Sequence, residues 1–355
     1  MTRTSGRRAT RRSITASALA AASALLLISC AAEGPTVPAS APAPSTFADG
    51  LDAPWSMVLY GDTLLVSERD SARVLEFDEG GRAHEVGVIE GVVPGGEGGL
   101  LGLAVRDDEL FAYSTAADGN RVERMPILGE PGDLSLGPPT TVIDGIPSAS
   151  NHNGGRIAFG PDGMLYVTTG DAGERESAQD VEALSGKILR LTAEGGIPAD
   201  NPFPGSPVYS YGHRNPQGID WDNRGTMYAS EFGQDTWDEL NVIEPGGNYG
   251  WPEVEGIAGD GDFIDPVQQW RPSEASPSGI AVTGSDVLIA NLRGERLRRV
   301  PLDDLASSSE DHIGEFGRLQ DVMVTTGAVW MLTNNTDGRG DPVDGDDRII
   351  LIPMD

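Results

Sequence analysis

One pattern recurs six times along the chain and limits the folds that the chain can adopt. Each copy is an apolar strand, a tight turn rich in Gly or Asp, and a second apolar strand, as in GRIAFGPDGMLYVTT. Strand-turn-strand units at a period of this size predict an all-β protein, a six-bladed β-propeller. A large β-sandwich does not require such a repeat. The first core residue after each turn is, in chain order, Leu64, Leu110, Leu165, Met227, Leu288 and Trp330, which gives spacings of 46, 55, 62, 61 and 42 residues.

The ends of the repeat region agree with a closed ring. The apolar run at 348–352 is expected to pair with a strand near residue 47, which would hide two sheet edges. The 47 Gly and 25 Pro residues suit many turns better than long helices. We therefore expect the propeller domain to cover residues 47–355.

The first 46 residues have the pattern of an export signal followed by a tether. A basic stretch precedes the apolar run ITASALAAASALLLI, which is typical of a signal peptide over residues 1–29. Its ending Leu27-Ile28-Ser29-Cys30 resembles a bacterial lipobox, in which Cys30 becomes lipidated; the alternative is an ordinary signal peptide with a chance cysteine. The stretch TRRSI weakly resembles a twin-arginine signal. Residues 30–46 are rich in Pro, Ala and Ser and predict a tether.

The net negative charge disfavours anionic partners, and the cysteine content excludes an internal disulfide. The formal net charge of −30 repels nucleic acid and anionic lipid head groups. A single cysteine permits no internal disulfide. No later segment is long and apolar enough to span a bilayer. We expect an exported protein that meets the outer face of the cell membrane only through a lipid anchor.

The repeat register predicts where a functional site lies. In a propeller the first strand of each blade lines the central channel, so the starts of these strands meet at one mouth. The predicted mouth groups are Pro54-Trp55-Ser56, Glu97-Gly98-Gly99, His152-Asn153, Arg214-Asn215, Ser276-Pro277-Ser278 and Arg318-Leu319-Gln320.

The third hairpin begins with a histidine and ends with an aspartate. Its turn is centred between Pro161 and Asp162, and reflection through that centre places Asp171 opposite His152. A carboxylate on one ring nitrogen fixes the tautomer and raises the basicity of the other, as a general base requires. The alternative is a structural His–Asp pair that locks the blade.

Several long motifs resemble one known family. NHNGGRIAFGPDGMLYVTTGD, YSYGHRNPQGID and DELNVIEPGGNYGWP are similar to the quinoprotein glucose/sorbosone dehydrogenases of the soluble aldose sugar dehydrogenase type. The resemblance runs from about residue 47 to the C-terminus. It implies a six-bladed propeller that binds pyrroloquinoline quinone (PQQ) and Ca²⁺ and oxidises the anomeric hydroxyl of an aldose to a lactone. The electron acceptor is unknown.

The resemblance also implies roles for individual residues. His152 matches the family's catalytic base, and Asp171 matches its carboxylate partner. Arg214 and Asn215 match quinone contacts, and an arginine suits a developing quinol anion because it stays protonated and offers forked donors. Glu97 matches a polar residue on the cofactor side.

Two calcium positions follow from the same resemblance. The carbonyls of Gly233 and Gln234 match the ligands of a cofactor-bridging Ca²⁺. Glu239 and the carbonyl of Tyr249 match a structural calcium site, and oxygen ligands suit this cation. The acid-rich stretch at 337–347 lacks EF-hand spacing and is expected to be a solvated loop.

Three departures from the family pattern concern the cofactor. Phe232 stands where the family has a polar side chain. Gln320 stands where a second arginine would flank Arg318, so one cation is missing. Arg293 is expected to fill the position of a cofactor-binding lysine or arginine. PQQ carries three carboxylates, so each absent cation weakens binding by about 1–3 kcal/mol.

The sequence leaves two other functions open. A non-catalytic cell-envelope binding module is motivated by Phe232 and Gln320. A calcium-dependent lactonase would need several acids around one metal. The predicted mouth offers one acid, Glu97, beside His152 and Arg214, so the lactonase is the least favoured of the three.

Overall fold

A computed structural model describes residues 43–259 and 261–354. The predicted signal peptide, the lipobox with Cys30 and most of the tether lie outside the described residues. Within the described ranges the regular structure is twenty-five β-strands and one short 3-10 helix, Arg175–Gln179. No helix in this part of the chain is long and apolar enough to cross a membrane.

The strands form six separate antiparallel sheets, one for each blade, as the repeat predicts. The first three blades contain β2 (Pro54–Tyr60), β3 (Thr63–Glu68), β4 (Arg73–Phe77), β5 (Ala83–Val88), β6 (Leu100–Arg106), β7 (Glu109–Ala116), β8 (Gly119–Leu128), β9 (Ser135–Leu136), β10 (Thr140–Ile146), β11 (Ile157–Phe159), β12 (Leu165–Thr169), β13 (Lys187–Leu191) and β14 (Val208–Tyr211). The last three contain β1 (Ser45–Ala48), β15 (Pro216–Trp221), β16 (Met227–Glu231), β17 (Asp238–Ile243), β18 (Gln268–Trp270), β19 (Pro277–Val282), β20 (Asp286–Asn291), β21 (Arg296–Pro301), β22 (Ser309–Asp311), β23 (Leu319–Thr325), β24 (Ala328–Thr333) and β25 (Ile349–Pro353).

The predicted ring closure is confirmed. Blade six has the strand order β1-β25-β24-β23, so the first described strand is the outer strand of the last blade. Ser45 pairs with Leu351 and Thr46 with Ile350. This pairing joins the two ends of the propeller through backbone hydrogen bonds and covers the outer edge of β25.

The hydrophobic core is divided among the junctions between blades. Six clusters of buried side chains each combine residues from two neighbouring blades. Blades two and three, for example, pack Phe111 and Tyr113 against Leu165 and Leu189. Fully burying a side chain of this size contributes about 1.5–3 kcal/mol. The blades are therefore held side by side around the ring, with their inner strands facing a central channel.

Every inner strand is irregular where it meets the mouth of the channel. In five blades the register of the inner strand shifts near its first residues. In blade three the amide of Gly155 donates to the carbonyl of Thr168, whose own amide donates to Arg156. Two residues thus face one, which is a β-bulge. Gly155 has a φ of 106°, a conformation that glycine adopts readily.

An ion pair crosses the channel and ties distant blades together. Arg156 Nη1 lies 3.0 Å from Asp321 Oδ2, a contact between blades three and six. The same guanidinium donates through Nε to the Gln217 carbonyl in blade four at 2.9 Å. It also donates to Ser56 Oγ in blade one at 3.2 Å. Burial lowers the pKa of Arg156, while the charge of Asp321 counteracts that effect.

Candidate active site

A short hydrogen bond joins His152 and Asp171 at the mouth of the channel. His152 Nδ1 and Asp171 Oδ1 are 2.7 Å apart. The aspartate side chain is fully buried, whereas 14% of the histidine side chain is exposed. Part of the imidazole ring therefore reaches solvent. The predicted contact between these two residues is confirmed.

The register that produces this contact differs from the prediction. Ile157 pairs with Val167, which centres the hairpin on Asp162 and not between that residue and its predecessor. The predicted turn centre is therefore wrong by half a residue. The β-bulge in blade three adds one residue on the histidine side, so Asp171 returns to the level of His152. Bulges beside active sites commonly redirect a side chain in this way.

The backbone around His152 is held by two polar side chains from other blades. His152 has a φ of 57°, in the left-handed region that costs energy for a residue other than glycine. Its amide donates to Glu97 Oε2 at 2.9 Å. The amide of Gly154 donates to Asn215 Oδ1 at 2.9 Å, and Asn215 is fully buried. In this structure Glu97 and Asn215 fix the histidine loop, and their predicted contacts with a cofactor stay predictions.

The hydrogen bonds of Asp171 determine the protonation of the imidazole. Burial opposes ionisation of this carboxyl, but hydrogen bonds from His152 and from the amide of Gly173 outweigh it and hold the pKa of Asp171 below its ordinary value. An ionised carboxylate only accepts, so the proton between the two residues lies on His152 Nδ1. In the neutral imidazole Nε2 is then the acceptor nitrogen, and it lies 3.2 Å from Asn151 Nδ2.

A second His–acid pair lies near the first and shows what a structural pair looks like. His213 Nδ1 lies 2.9 Å from Glu231 Oε2, and His213 is fully buried. Its Nε2 atom is 2.8 Å from Ser210 Oγ, so neither ring nitrogen is open to a substrate. Of the two histidines, only His152 has a partly exposed imidazole.

Arg214 lies between the two pairs. Its guanidinium donates from Nη1 to the Phe232 carbonyl at 3.1 Å and lies 5.4 Å from the centre of the Trp251 ring. Its Nε atom is buried and makes no hydrogen bond in the structure. Burial lowers the pKa of Arg214, and the charges of Asp171 and Glu231 oppose that effect.

Residues from five blades line one cavity at the mouth, and three of the six predicted groups reach it through Trp55, Glu97 and Gln320. His152 and Arg214 are not among its lining residues; Arg214 lines a second cavity. Two arginines in the mouth cavity, Arg69 and Arg339, were not predicted. Arg69 is paired with Asp70 at 2.7 Å, and Arg339 with Glu97 at 3.4 Å. The lining residues are Trp55, Arg69, Glu97, Gln217, Phe232, Leu292, Gln320, Asn334, Asp337 and Arg339.

An amide network occupies the place of the missing arginine in blade six. Gln320 Nε2 donates to Ser278 Oγ at 2.8 Å, and Asn334 Nδ2 donates to Gln320 Oε1 at 3.0 Å. Asn334 Oδ1 is buried without a hydrogen bond. Arg318 is itself buried and paired with Asp337 at 3.2 Å.

The C-terminal region departs in part from its predicted structure. The stretch 337–347 was expected to be a solvated loop, and most of it is an exposed loop; the exceptions are Asp337, which lines the mouth cavity, and Asp347, which is fully buried. The mouth therefore contains a second acid beside Glu97. Asp347 is buried because it accepts hydrogen bonds from Thr336, among other groups, in the turn before β25. Arg293 is exposed in the loop after β20, next to Leu292 of the mouth cavity.

Three of the four predicted calcium ligands line a small cavity that Arg214 also lines. Glu239, Glu231 and Glu255 line it together with Gly233 and Tyr249. Burial and the charge of Glu231 raise the pKa of Glu239 to about 8. A cation beside these carboxylates would compensate their charge. One predicted ligand of the bridging site, Gly233, thus shares this cavity with Glu239 and Tyr249 of the predicted structural site, whereas Gln234 is not among its lining residues.

The loop that carries Gly233 and Gln234 is wrapped around a carboxylate. Glu255 Oε1 accepts hydrogen bonds from the amide of Gln234 at 2.6 Å and from those of the next three residues. Gly233 donates its amide to Asp238 Oδ1 at 2.9 Å. In the described part of the chain no cluster of three or more His, Cys, Asp or Glu side chains has metal-binding geometry. The predicted sites therefore depend on backbone carbonyls.

Comparison with known proteins identifies the family. A family model described as glucose/sorbosone dehydrogenase matches residues 51–345. The chain belongs to this family.

Relatives within the glucose/sorbosone dehydrogenase family include proteins of known structure. The PQQ-bound aldose sugar dehydrogenase of Streptomyces coelicolor is 50% identical; the match covers 88% of this chain and 99% of that one, with a TM-score of 0.83. Aldose sugar dehydrogenase YliI of Escherichia coli is 33% identical over 67% of this chain and 72% of its own length. Quinoprotein glucose dehydrogenase B of Acinetobacter calcoaceticus is 32% identical over 58% and 52%.

Sequence reasoning missed three residues of this family member's site. Arg69 and Arg339 reach the mouth from loops that follow a second strand, which the inner-strand rule does not cover. Trp251 donates from Nε1 to Asp171 Oδ2 at 2.8 Å across 80 residues of sequence. In the sequence, the feature that pointed to Trp251 was its position in the glycine-rich stretch GGNYGWP.

Proposed function

We propose that the protein is a PQQ- and calcium-dependent aldose dehydrogenase that oxidises the anomeric hydroxyl of a sugar to a lactone. One observation carries the proposal: a buried aspartate orients a partly exposed imidazole in a chain half identical to a PQQ-bound aldose sugar dehydrogenase. Sugar dehydrogenase relatives support a small-molecule sugar as substrate. The electron acceptor is unknown.

His152 is the general base in this proposal. Its Nε2 atom takes the proton of the anomeric hydroxyl as the hydrogen on the same carbon leaves with two electrons. Asp171 stabilises the imidazolium that forms and keeps the proton of Nδ1 in place. A positioned base of this kind contributes about 10²–10⁴-fold to rate.

The donors at the mouth fit a tricarboxylate cofactor. When bound, PQQ supplies the two-electron acceptor for the sugar's hydride. Arg214 has a buried Nε–H without a partner, so its donor capacity is not yet used. Arg69 and Arg339 line the mouth cavity, and Arg318 is paired with Asp337 of its lining. Each of the three is paired with a carboxylate of this chain, and a bound tricarboxylate would compete with that carboxylate. Arg293, exposed beside them, is a further candidate.

Calcium would bind next to this donor set. The carbonyls of Gly233 and Gln234, the side chain of Glu239 and the carbonyl of Tyr249 are the proposed ligands. Glu231, Glu239 and Glu255 line one cavity there, and a bound cation would offset the repulsion among their charges.

The deciding experiment is a titration of purified protein with PQQ, followed by absorbance, with and without CaCl₂. Saturable binding that requires Ca²⁺, together with reduction of an artificial acceptor by an aldose, is expected. Absence of PQQ binding and of turnover across a broad aldose panel would overturn the proposal.

A second candidate is a binding module that has lost cofactor binding. It is favoured by the ion pairs that already neutralise mouth cations, Arg318 with Asp337 and Arg339 with Glu97. A glycan array on cofactor-free protein tests it. Turnover of an aldose by the loaded protein at an ordinary enzymatic rate would eliminate it.

We also propose that the chain is an exported lipoprotein modified at Cys30. The support is in the sequence, where a basic stretch, an apolar run and the ending Leu27-Ile28-Ser29-Cys30 precede the propeller. Labelling with a fatty acid in the native host, lost in Cys30→Ala, is the test; equal labelling of both forms would contradict it.

A further inference from the structure

The indole of Trp251 is an unassigned part of the site. Its Nε1–H donates to Asp171 Oδ2 at 2.8 Å, and the residue is 5% exposed. Its backbone is anchored on both sides: the amide donates to the Gly212 carbonyl at 2.9 Å, and the carbonyl accepts from Gln179 Nε2 at 2.6 Å. The indole is therefore held in place independently of its contact with the aspartate.

The two oxygens of Asp171 are shared among donors from three segments. Oδ1 accepts from His152 Nδ1 at 2.7 Å and from the amide of Gly173 at 2.8 Å. Oδ2 accepts from the Trp251 indole. Each donor takes part of the negative charge of the carboxylate, so the attraction of Asp171 for the imidazole proton depends on the other two.

Other charged groups act on the same assembly. The guanidinium of Arg175 lies 4.5 Å from the centre of the Trp251 ring, and that of Arg214 lies 5.4 Å from it. Cations over an indole polarise it and make its N–H a better donor. The carboxylates that face this region are Asp171 itself, Glu97 on the His152 amide, and Glu231, Glu239 and Glu255, which line a cavity with Arg214 and Trp251; Arg339 is paired with Glu97.

We propose that Trp251 is a positioning residue that sets the basicity of His152 through Asp171. The inference rests on the proposed function, in which His152 must be unprotonated to accept the sugar's proton. With the indole N–H in place, the carboxylate charge is shared and the imidazolium is stabilised less. Without it, Asp171 holds the imidazole proton more strongly, and a smaller fraction of the base is free at a given pH.

The test is an NMR titration of the histidine rings in cofactor-free protein, which needs no turnover. The chain has four histidines. The ring resonance that is absent from His152→Gln is assigned to His152. In Trp251→Phe the titration midpoint of the His152 ring is expected to move to higher pH by about half a unit or more. The control is Trp330→Phe, because that indole donates to a hydroxyl, Thr325 Oγ1, at 3.0 Å. An unchanged midpoint, or the same shift in the control, overturns the inference.

A second measurement remains decisive if Trp251→Phe does not fold. In wild-type protein labelled with ¹⁵N-tryptophan, one of the six indole N–H resonances should move with pH at the same midpoint as the His152 ring, and His152→Gln should abolish that movement. Six pH-independent resonances would refute the coupling.

The acid limb of the kcat/KM profile provides a separate readout. In Trp251→Phe it should shift to higher pH by the same amount as the NMR midpoint. If wild-type protein with PQQ and Ca²⁺ turns over no sugar, the proposed function fails, whereas the NMR result still decides whether Trp251 acts on His152.

Discussion

Replacing Asp171 with asparagine tests whether the carboxylate prepares His152 as a base. In the wild-type protein three donors, from His152, Gly173 and Trp251, point at its two oxygens at 2.7–2.8 Å. An asparagine side chain has one acceptor oxygen and an NH₂ group that only donates. One orientation places the NH₂ against the imidazole, and the other places it against the indole.

Both orientations reduce catalysis, for different reasons. With the NH₂ against His152, the ring must move its proton to Nε2, and the base is lost. With the NH₂ against Trp251, the ring keeps its tautomer but loses a charged hydrogen bond, which costs about 1.5–3 kcal/mol, or about 10- to 150-fold in rate. Because loss of a general base costs about 10²–10⁴-fold, we expect kcat to fall by about 10²–10⁴-fold in Asp171→Asn.

The assay is steady-state aldose oxidation by PQQ- and Ca²⁺-loaded protein, measured from pH 5 to 9. The matched control is Asp220→Asn, which removes another largely buried carboxylate that accepts two backbone amides, of Val282 at 2.6 Å and Trp221 at 2.8 Å, inside the channel. The control should keep kcat within about threefold of wild type, since far smaller effects are typical away from the reacting groups. A kcat for Asp171→Asn within that range would refute the role of the carboxylate.

Three further outcomes follow from the structure. Arg156→Met should lower the free energy of unfolding by about 3–5 kcal/mol in urea denaturation, because it leaves Asp321 buried without its cation; equal stability of variant and wild type would show that the cross-channel pair does not hold the blades. Lys187→Met should lower it by about 2–4 kcal/mol, because Nζ donates to three backbone carbonyls beside the 3-10 helix at 2.6–3.1 Å; full recovery in Lys187→Arg would point to hydrogen bonding, and a neutral Met variant would contradict the expectation. Removal of Ca²⁺ with EDTA should lower the melting temperature of wild type more than that of Glu239→Gln, and an identical drop in calorimetry of both would argue against Glu239 as a ligand.

The fold was predictable because its signal is local. Alternating apolar strands and Gly/Asp turns are visible within fifteen residues, so the six hairpins and the closure at residues 348–352 could be read from the sequence. The turn centre of the third hairpin could not, since it depends on a bulge at Gly155 that no alternation pattern encodes. The other blades have similar register shifts at the same place, and their repetition becomes apparent only in three dimensions.

The site was predictable only in part, for a related reason. His152 and Asp171 share one hairpin, so strand pairing brings them near each other, and the bulge at Gly155 then places them opposite each other. The hydrogen bond between Trp251 and Asp171 spans 80 residues, and that between Arg156 and Asp321 spans 165. Such contacts depend on how the blades close into a ring. Arg156, just before the apolar inner strand in GGRIAF, was the one local indication that a charged side chain crosses the channel.

The two substitutions around the aspartate have opposite expected signs, and this separates a specific effect from general damage. Asp171→Asn removes the anion beside His152, so the imidazole protonates less readily and the acid limb of kcat/KM moves to lower pH. In Trp251→Phe the carboxylate no longer shares its charge with the indole N–H, so it stabilises the imidazolium more strongly. The acid limb of kcat/KM therefore moves to higher pH. Hydrogen bonds hold the pKa of Asp171 below its ordinary value even though burial opposes ionisation. The titration of this carboxyl therefore does not contribute to a profile measured above pH 5. Disordering of the mouth would lower kcat in both variants without moving the limb in opposite directions. Shifts of the same sign in both variants would therefore contradict a charge-sharing network centred on Asp171.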